Sequence, residues 1–147
     1  LNLRSELWGL NESFKETVLQ AVSLSSIVFG NLHEEFYPLF DADEDSLHRH
    51  ISNNQIFICR NGEKGALGVT TKDKVESGAL SISPLDSVGA GDAFNSGFIY
   101  ASCIGKGMKE SLDTGNKVAA YKLLGSGARH LPTEELLEEF NTKYSKH

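Results

Sequence analysis

The sequence predicts an α/β fold of three layers, with helices on both faces of a sheet. Short apolar runs at residues 26–29 and 55–59 read as buried strands, and stretches with apolar residues at helical spacing alternate with them. The run Asp86–Ile99, D-S-V-G-A-G-D-A-F-N-S-G-F-I, then passes through small residues into a further helical pattern. Strand, helix, strand, helix, with a hairpin ahead of that run, is the order of an α/β layer architecture.

Taken in order, Leu1–Arg4 reads as the end of a strand, followed by a turn at Gly9. Asn11 is a good N-cap, and Phe14, Val18, Ala21 and Val22 recur at helical spacing, so residues 12–23 form an amphipathic helix. The strand at 26–29 leads to Asn31-Leu32-His33-Glu34, at the strand end where open α/β sheets place ligands. Asn31 can also cap a helix over 32–40, with Glu34 complementing its dipole. Asp41, Asp43, Glu44 and Asp45 front a short helical stretch in the polar segment 41–53 and read as solvated. Residues 55–59 form the next buried strand, the glycines at 62 and 65 turn the chain, and 66–70 returns as a strand.

Lys72-Asp73-Lys74 reads as a polar turn, with 78–83 extended. Phe94, Phe98, Ala101 and Cys103 lie on one side of the helix that follows. Gly105-Lys106-Gly107 ends it. Met108, Leu112, Ala119 and Leu123 mark another helix, with Gly115-Asn116 inside it. A mid-helix Gly costs about 1 kcal/mol relative to Ala, so a close neighbour, protein or ligand, should benefit from the missing side chain. A loop at 125–128 precedes a last helix, begun by Pro132-Thr133-Glu134-Glu135 and docked through Leu136, Leu137 and Phe140.

The chain has 147 residues, 39% hydrophobic and 23% charged, as expected of one domain. A net charge of −6 with no Lys/Arg cluster argues against nucleic acid and anionic membrane partners. No apolar run approaches the length of a membrane span. Cys59 and Cys103 sit in apolar surroundings and read as buried free thiols, which suits a cytoplasmic location. His33, His48 and His50 lack carboxylate or cysteine partners at metal-ligand spacing and read as surface histidines. The chain begins at Leu1 rather than Met, and it reads as a fragment.

The chemistry concentrates at Gly89–Asp92. Gly89 and Gly91 leave backbone N–H groups uncovered, and the first turn of a helix has N–H groups without partners. With the positive end of the helix dipole, these form a seat for phosphate oxygens. Asp92 sets a carboxylate beside that seat, so charge stabilisation and a proton acceptor stand together, as phosphoryl transfer to a hydroxyl requires. A second reading of the same residues stays open: glycine turns commonly open helices, and a first-turn Asp complements the dipole without any chemistry. Walker A is absent, and the dinucleotide fingerprint fails because Phe94 stands where its third Gly belongs.

The run Asp86–Ile99 resembles, over all fourteen of its positions, the C-terminal signature of the ribokinase-like (PfkB) carbohydrate kinases. The resemblance extends along the chain but covers only the C-terminal half of that fold, without the substrate and lid part. It implies that Asp92 is the catalytic base and that Gly89-Ala90-Gly91 form the anion hole. Asn2, Arg4, Leu7 and Trp8 are similar to an N-x-R…L-W run of kinases resembling fructokinase and 2-keto-3-deoxygluconate kinase, whose polar residues lie beside substrate and phosphate. Asn31 and Glu34 match an N-x-x-E pattern that orders Mg²⁺ and its waters. Gly62 and Gly65 match a turn beside the nucleotide, although Arg60-Asn61 stand where the family often has Thr-Leu. Asn116 matches an Asn near the adenine, and Gly125–Ala128 resembles a further turn near the nucleotide. Some members bind a monovalent cation near the position of Asp86.

The resemblance implies ATP-dependent phosphorylation of a sugar hydroxyl, of fructose or 2-keto-3-deoxygluconate type, with ATP and Mg²⁺ as cofactors and K⁺ left open. The alternatives are a kinase of a nucleoside or other small alcohol, and a non-catalytic protein that keeps the fold for binding. Expected partners are the small sugar and ATP, with no nucleic acid or membrane and with homodimerisation of the full-length protein left open. The fragment alone is expected to be inactive.

Overall fold

The structure, a computed structural model, describes residues 1–144. Helix α1 is Ser5–Trp8, α2 Glu12–Ser23, α3 Tyr37–Phe40, α4 Ala90–Cys103, α5 Met108–Leu123 and α6 Glu134–Tyr144. The strands are β1 Ile27–Asn31, β2 Ile56–Arg60, β3 Ala66–Val69 and β4 Lys74–Ser77, in sheet order β1-β2-β3-β4. β1 and β2 pair in parallel, with Phe29 opposite Ile58. The chain divides into two compact units, one of Leu1–Asn61 with Leu67–Val75, the other of Gly62–Ala66 with the chain from Glu76 onward.

In the first unit, α2 starts where expected: the Asn11 side chain accepts from the N–H of Phe14 at 3.0 Å. Val22 and the strand residues Val28, Phe57 and Cys59 join Leu32, Phe36 and Leu39 in a buried core. The Phe36 and Phe57 rings lie 4.9 Å apart, centroid to centroid. Gln55 fastens the connection by donating its amide to the carbonyls of Val22 and Ser25, both at 2.7 Å. Residues 32–40 are helical, but the first turn, Leu32–Phe36, is a π-helical turn. Such turns are rare and commonly occur at functional sites.

The second unit is built on α4 and α5. Phe94, Phe98 and Ala101 are buried on α4, and Leu112, Val118 and Ala120 on α5. The helices approach so closely that a Cβ on Gly97 would lie 2.8 Å from Val118, and one on Gly115 would lie 2.8 Å from the Phe94 ring. Close helix packing therefore explains the embedded Gly115. At the end of α5, Tyr121 stacks on His130 and meets Phe140 of α6 edge-on.

Four sequence expectations change. Residues 1–4 run beside β1 without becoming a strand: Leu1 N bonds Phe29 O, but the Leu3 N–H goes to the Glu35 carboxylate (2.9 Å) instead of to backbone. Lys74 belongs to β4 rather than to a polar turn; this last strand in the sheet order carries Lys74 and Glu76, the charges by which edge strands discourage further pairing. Cys103 is exposed at the end of α4, while Cys59 is buried and burial pushes its thiol up to about 12. Leu136 is exposed, and α6 docks through Phe140.

Candidate active site

In the second unit, the turn before α4 has the geometry that its glycines suggested. Gly89 is the N-cap of α4 at φ 80°, in the left-handed region, and no side chain caps the helix. A Cβ there would also press on Ala128, 3.0 Å away, so the 125–128 loop backs this turn. The Ala90 N–H is taken by Ser87 O at 3.1 Å. Gly91 and Asp92 follow in the first turn, whose N–H groups have no acceptor within the helix. The Asp92 side chain is exposed, and among the described residues nothing bonds or pairs with its carboxylate. A free carboxylate thus stands beside uncapped donors at the positive end of a 14-residue helix.

Asp86 sets the entry to this turn. Its carboxylate accepts the N–H groups of Val88 (2.9 Å) and Gly127 (2.7 Å). These two bonds, Val88 first, hold its pKa below the ordinary value of 3.8, with a smaller contribution from the charge of Lys122. Lys122, with 0% of its surface exposed, donates from Nζ to the Asp86 carbonyl at 2.6 Å and lies 4.0 Å from Oδ1. Leu85 N donates to Leu123 O at 2.7 Å, which joins the same segment to the end of α5.

Gly65 and Asn116 meet across one piece of backbone. Gly65 has φ 95°, and a Cβ there would come within 2.0 Å of Ser77 O, so only glycine fits. On the other side, the Asn116 amide donates to Ser77 O (3.0 Å), Ser77 Oγ (2.8 Å) and Gly78 O (3.1 Å). Ser77 Oγ in turn donates to Asp113 Oδ1 at 2.6 Å. Burial pushes the Asp113 carboxyl up, but hydrogen bonds from Lys109 and Ser77 and the charges of Lys109 and Lys117 outweigh it and leave the pKa lowered. Gly62 needs only its positive φ of 56°, with open space around it.

The first unit holds the other sequence-predicted residues. Asn2 and Arg4 are exposed on either side of buried Leu3, and Arg4 Nε donates to Asn2 Oδ1 at 3.3 Å. Arg4 itself is left-handed at φ 46°, a strained conformation for a residue with a side chain. Asn2 also lines an open cavity of about 440 Å³ with Leu3, Gly9, Asn11 and Phe14. Asn31 caps the turn after β1, accepting from His33 N and Glu34 N, both at 3.0 Å, and Glu34 is exposed. Arg60 and Asn61 have partners of their own in Glu35 (3.4 Å) and the His33 ring (3.1 Å).

Sequence reasoning missed Glu35 and Lys122. The buried Glu35 carboxylate receives Leu3 N, Asn31 N (2.7 Å) and Arg60, so it fastens the segment carrying Asn2 and Arg4 to the end of β1. Its signal was available: Leu32, Glu35, Phe36 and Leu39 share one buried helical face. No cluster of three or more metal-ligating side chains occurs among the described residues. Nor is any described helix long and apolar enough to cross a membrane.

The sequence profile of the pfkB family carbohydrate kinases matches residues 1–135. The chain belongs to this family. Similar proteins include the aminoimidazole riboside kinase of Salmonella typhimurium, 27% identical over 154 aligned positions that take in 99% of this chain and 48% of that one. The 5-dehydro-2-deoxygluconokinase of Clostridium perfringens is 32% identical over 108 positions, 69% of this chain and 31% of that one. A double-mutant fructokinase from Vibrio cholerae O395, solved with fructose, ADP and a potassium ion, superposes with a TM-score of 0.80 at 26% identity, covering 95% of this chain and 48% of that one. The fold is therefore the ribokinase-like α/β fold that the signature implied. The chain spans less than half the length of each of these PfkB relatives.

Proposed function

We propose that this chain is the nucleotide-binding and catalytic part of a PfkB kinase that transfers the γ-phosphoryl group of ATP to an alcohol on a small sugar or nucleoside. The observation that carries the reading is the exposed, unpartnered Asp92 carboxylate beside the uncapped start of α4. The substrate oxygen attacks the γ-phosphorus, the bond to the ADP oxygen breaks, and the hydroxyl proton passes to Asp92. Gly91 and Asp92 N–H groups donate to the transferring group. Transfer of this kind is largely dissociative, so the proton moves late and the orientation of Asp92 matters as much as its basicity. Gly89 contributes the left-handed turn rather than a side chain, and Ala90 contributes the first helical residue.

For the nucleotide, Gly62, Gly65 and Asn116 are the proposed lining. The role of Asn116 here is indirect, because its amide is engaged with Ser77 and Gly78. The donor set of the first unit suits a hard cation: Glu34 offers an exposed carboxylate, and Asn31 fixes the turn that presents it. These residues would hold Mg²⁺, which would supply charge neutralisation for a phosphate group. Arg4 and Asn2 are proposed to face the substrate; their mutual hydrogen bond and the strained Arg4 backbone support a fixed role. The substrate class is set no further than small alcohols: fructose, 5-dehydro-2-deoxygluconate and aminoimidazole riboside, for which relatives are named, and 2-keto-3-deoxygluconate, which the N-terminal run of Asn2 and Arg4 suggests. A cytoplasmic location and a dimer of the full-length protein belong to the same proposal.

The test is ADP release by the full-length protein with fructose, 2-keto-3-deoxygluconate, 5-dehydro-2-deoxygluconate and aminoimidazole riboside. Turnover with at least one, absent without ATP, is expected. ADP–Mg²⁺ should also slow amide exchange at 89–93 and 62–65. Absence of both transfer and protection would remove the kinase reading in favour of a binding module.

A further inference from the structure

Lys122 has no place in the chemistry above, yet its ammonium is fully buried and directed at the segment that enters the anion turn. Burying a charge is unfavourable unless hydrogen bonds and an opposite charge compensate. Here the compensation is one residue: the Asp86 carbonyl at 2.6 Å and the Asp86 carboxylate at 4.0 Å. The same carboxylate holds Val88 N and Gly127 N. One cation therefore organises one Asp, which in turn fixes the backbone on both sides of Gly89, the residue against which Ala128 packs.

Those two Asp86 oxygens are also what a monovalent cation beside Asp86 would bind. The residues present do not fit such an ion. An ammonium already stands at contact distance from the Asp86 carbonyl and 4.0 Å from its half-buried carboxylate, so a second cation on these oxygens would face a like charge at short range. We propose that Lys122 is a positioning residue that serves as the resident cation of the Asp86 loop, so that the anion turn is ordered without K⁺. The inference rests on the phosphoryl-transfer reading only where turnover is measured.

The experiment compares the full-length protein in KCl and in choline chloride at equal ionic strength. In the wild type, amide exchange at residues 86–92 and 127 and the affinity for ADP–Mg²⁺ should be the same in both salts. Ordering or tightening by several-fold in KCl alone would overturn the proposal. Lys122→Ala removes the charge and opens space: exchange at Val88 and Gly127 should quicken in choline chloride and slow again in KCl. Turnover should fall on the order of 10²-fold, as when a catalytic constellation is displaced, and recover in part with K⁺. Lys122→Met, which fills the space without charge, should lose the same function without recovery. Both variants behaving as wild type in either salt would contradict the role. Should they fail to fold, the wild-type salt comparison and Lys122→Arg decide, the latter keeping salt-independent exchange if the proposal holds. If no alcohol is phosphorylated by the wild type, the kinase reading fails while the exchange comparison still reports on Lys122.

Discussion

Gly115→Ala measures how tightly the helix bearing Asp92 is held. The new Cβ would lie 2.8 and 2.9 Å from Phe94 ring carbons and 3.0 Å from Phe94 O. In its favour, Ala in a helix interior gains about 1 kcal/mol over Gly. Against it, inserting a methyl into a packed core costs about 1–3 kcal/mol. The second effect wins here because Phe94 is only 3% exposed, so its ring has nowhere to turn, and the carbonyl contact is relieved only by moving α4 away from α5. The expected net loss is about 1 kcal/mol. With a urea m-value of about 1–3 kcal/mol/M, the unfolding midpoint drops by about 0.3–1 M. Gly78→Ala is the control, since nothing lies within 4 Å of a Cβ there and its φ is not positive. Equilibrium urea unfolding of the three proteins is the assay. A Gly115→Ala midpoint equal to or above wild type, with the control unchanged, would refute the close-contact account of this glycine.

Asn116→Ala removes the donor shared by Ser77 and Gly78; urea unfolding should show a loss of about 1–3 kcal/mol, the cost of depriving the buried Ser77 carbonyl of its donor. Asp86 has a lowered pKa, so its stabilising contribution is present above its ordinary 3.8 and is lost as pH falls through the lower folded value. The Val88 and Gly127 amide NMR signals should titrate with a midpoint below 3.8 and stay flat above it; a higher midpoint would contradict the two bonds. A thiol reagent should label exposed Cys103 in the native protein and reach buried Cys59 only after denaturation.

The parts legible in the sequence are those whose local pattern and final environment agree. The helix over 12–23 has its apolar stripe and its cap, and Asp86–Ile99 carries its turn, its helix start and its acid within one run. The parts that escaped depend on partners distant in sequence. Glu35 and Lys122 are charged, and pattern reading assigns charges to the surface; only the arrival of Leu3 and Arg60, or of Asp86, makes their burial tolerable. β4 escaped because an edge strand of alternating charge carries no apolar run. Cys103 looked buried because its neighbours are apolar, but α4 has turned its last residue outward by that point.

The central claim is that Asp92 accepts the substrate proton at the start of α4. Asp92→Asn in the full-length protein, assayed for ADP–Mg²⁺ affinity and for turnover side by side, tests it most directly. Nucleotide affinity should stay close to wild type while kcat falls on the order of 10²–10⁴, the usual range for loss of a general base. Turnover near wild type in a variant that still binds nucleotide would remove Asp92 from the chemistry and contradict the account.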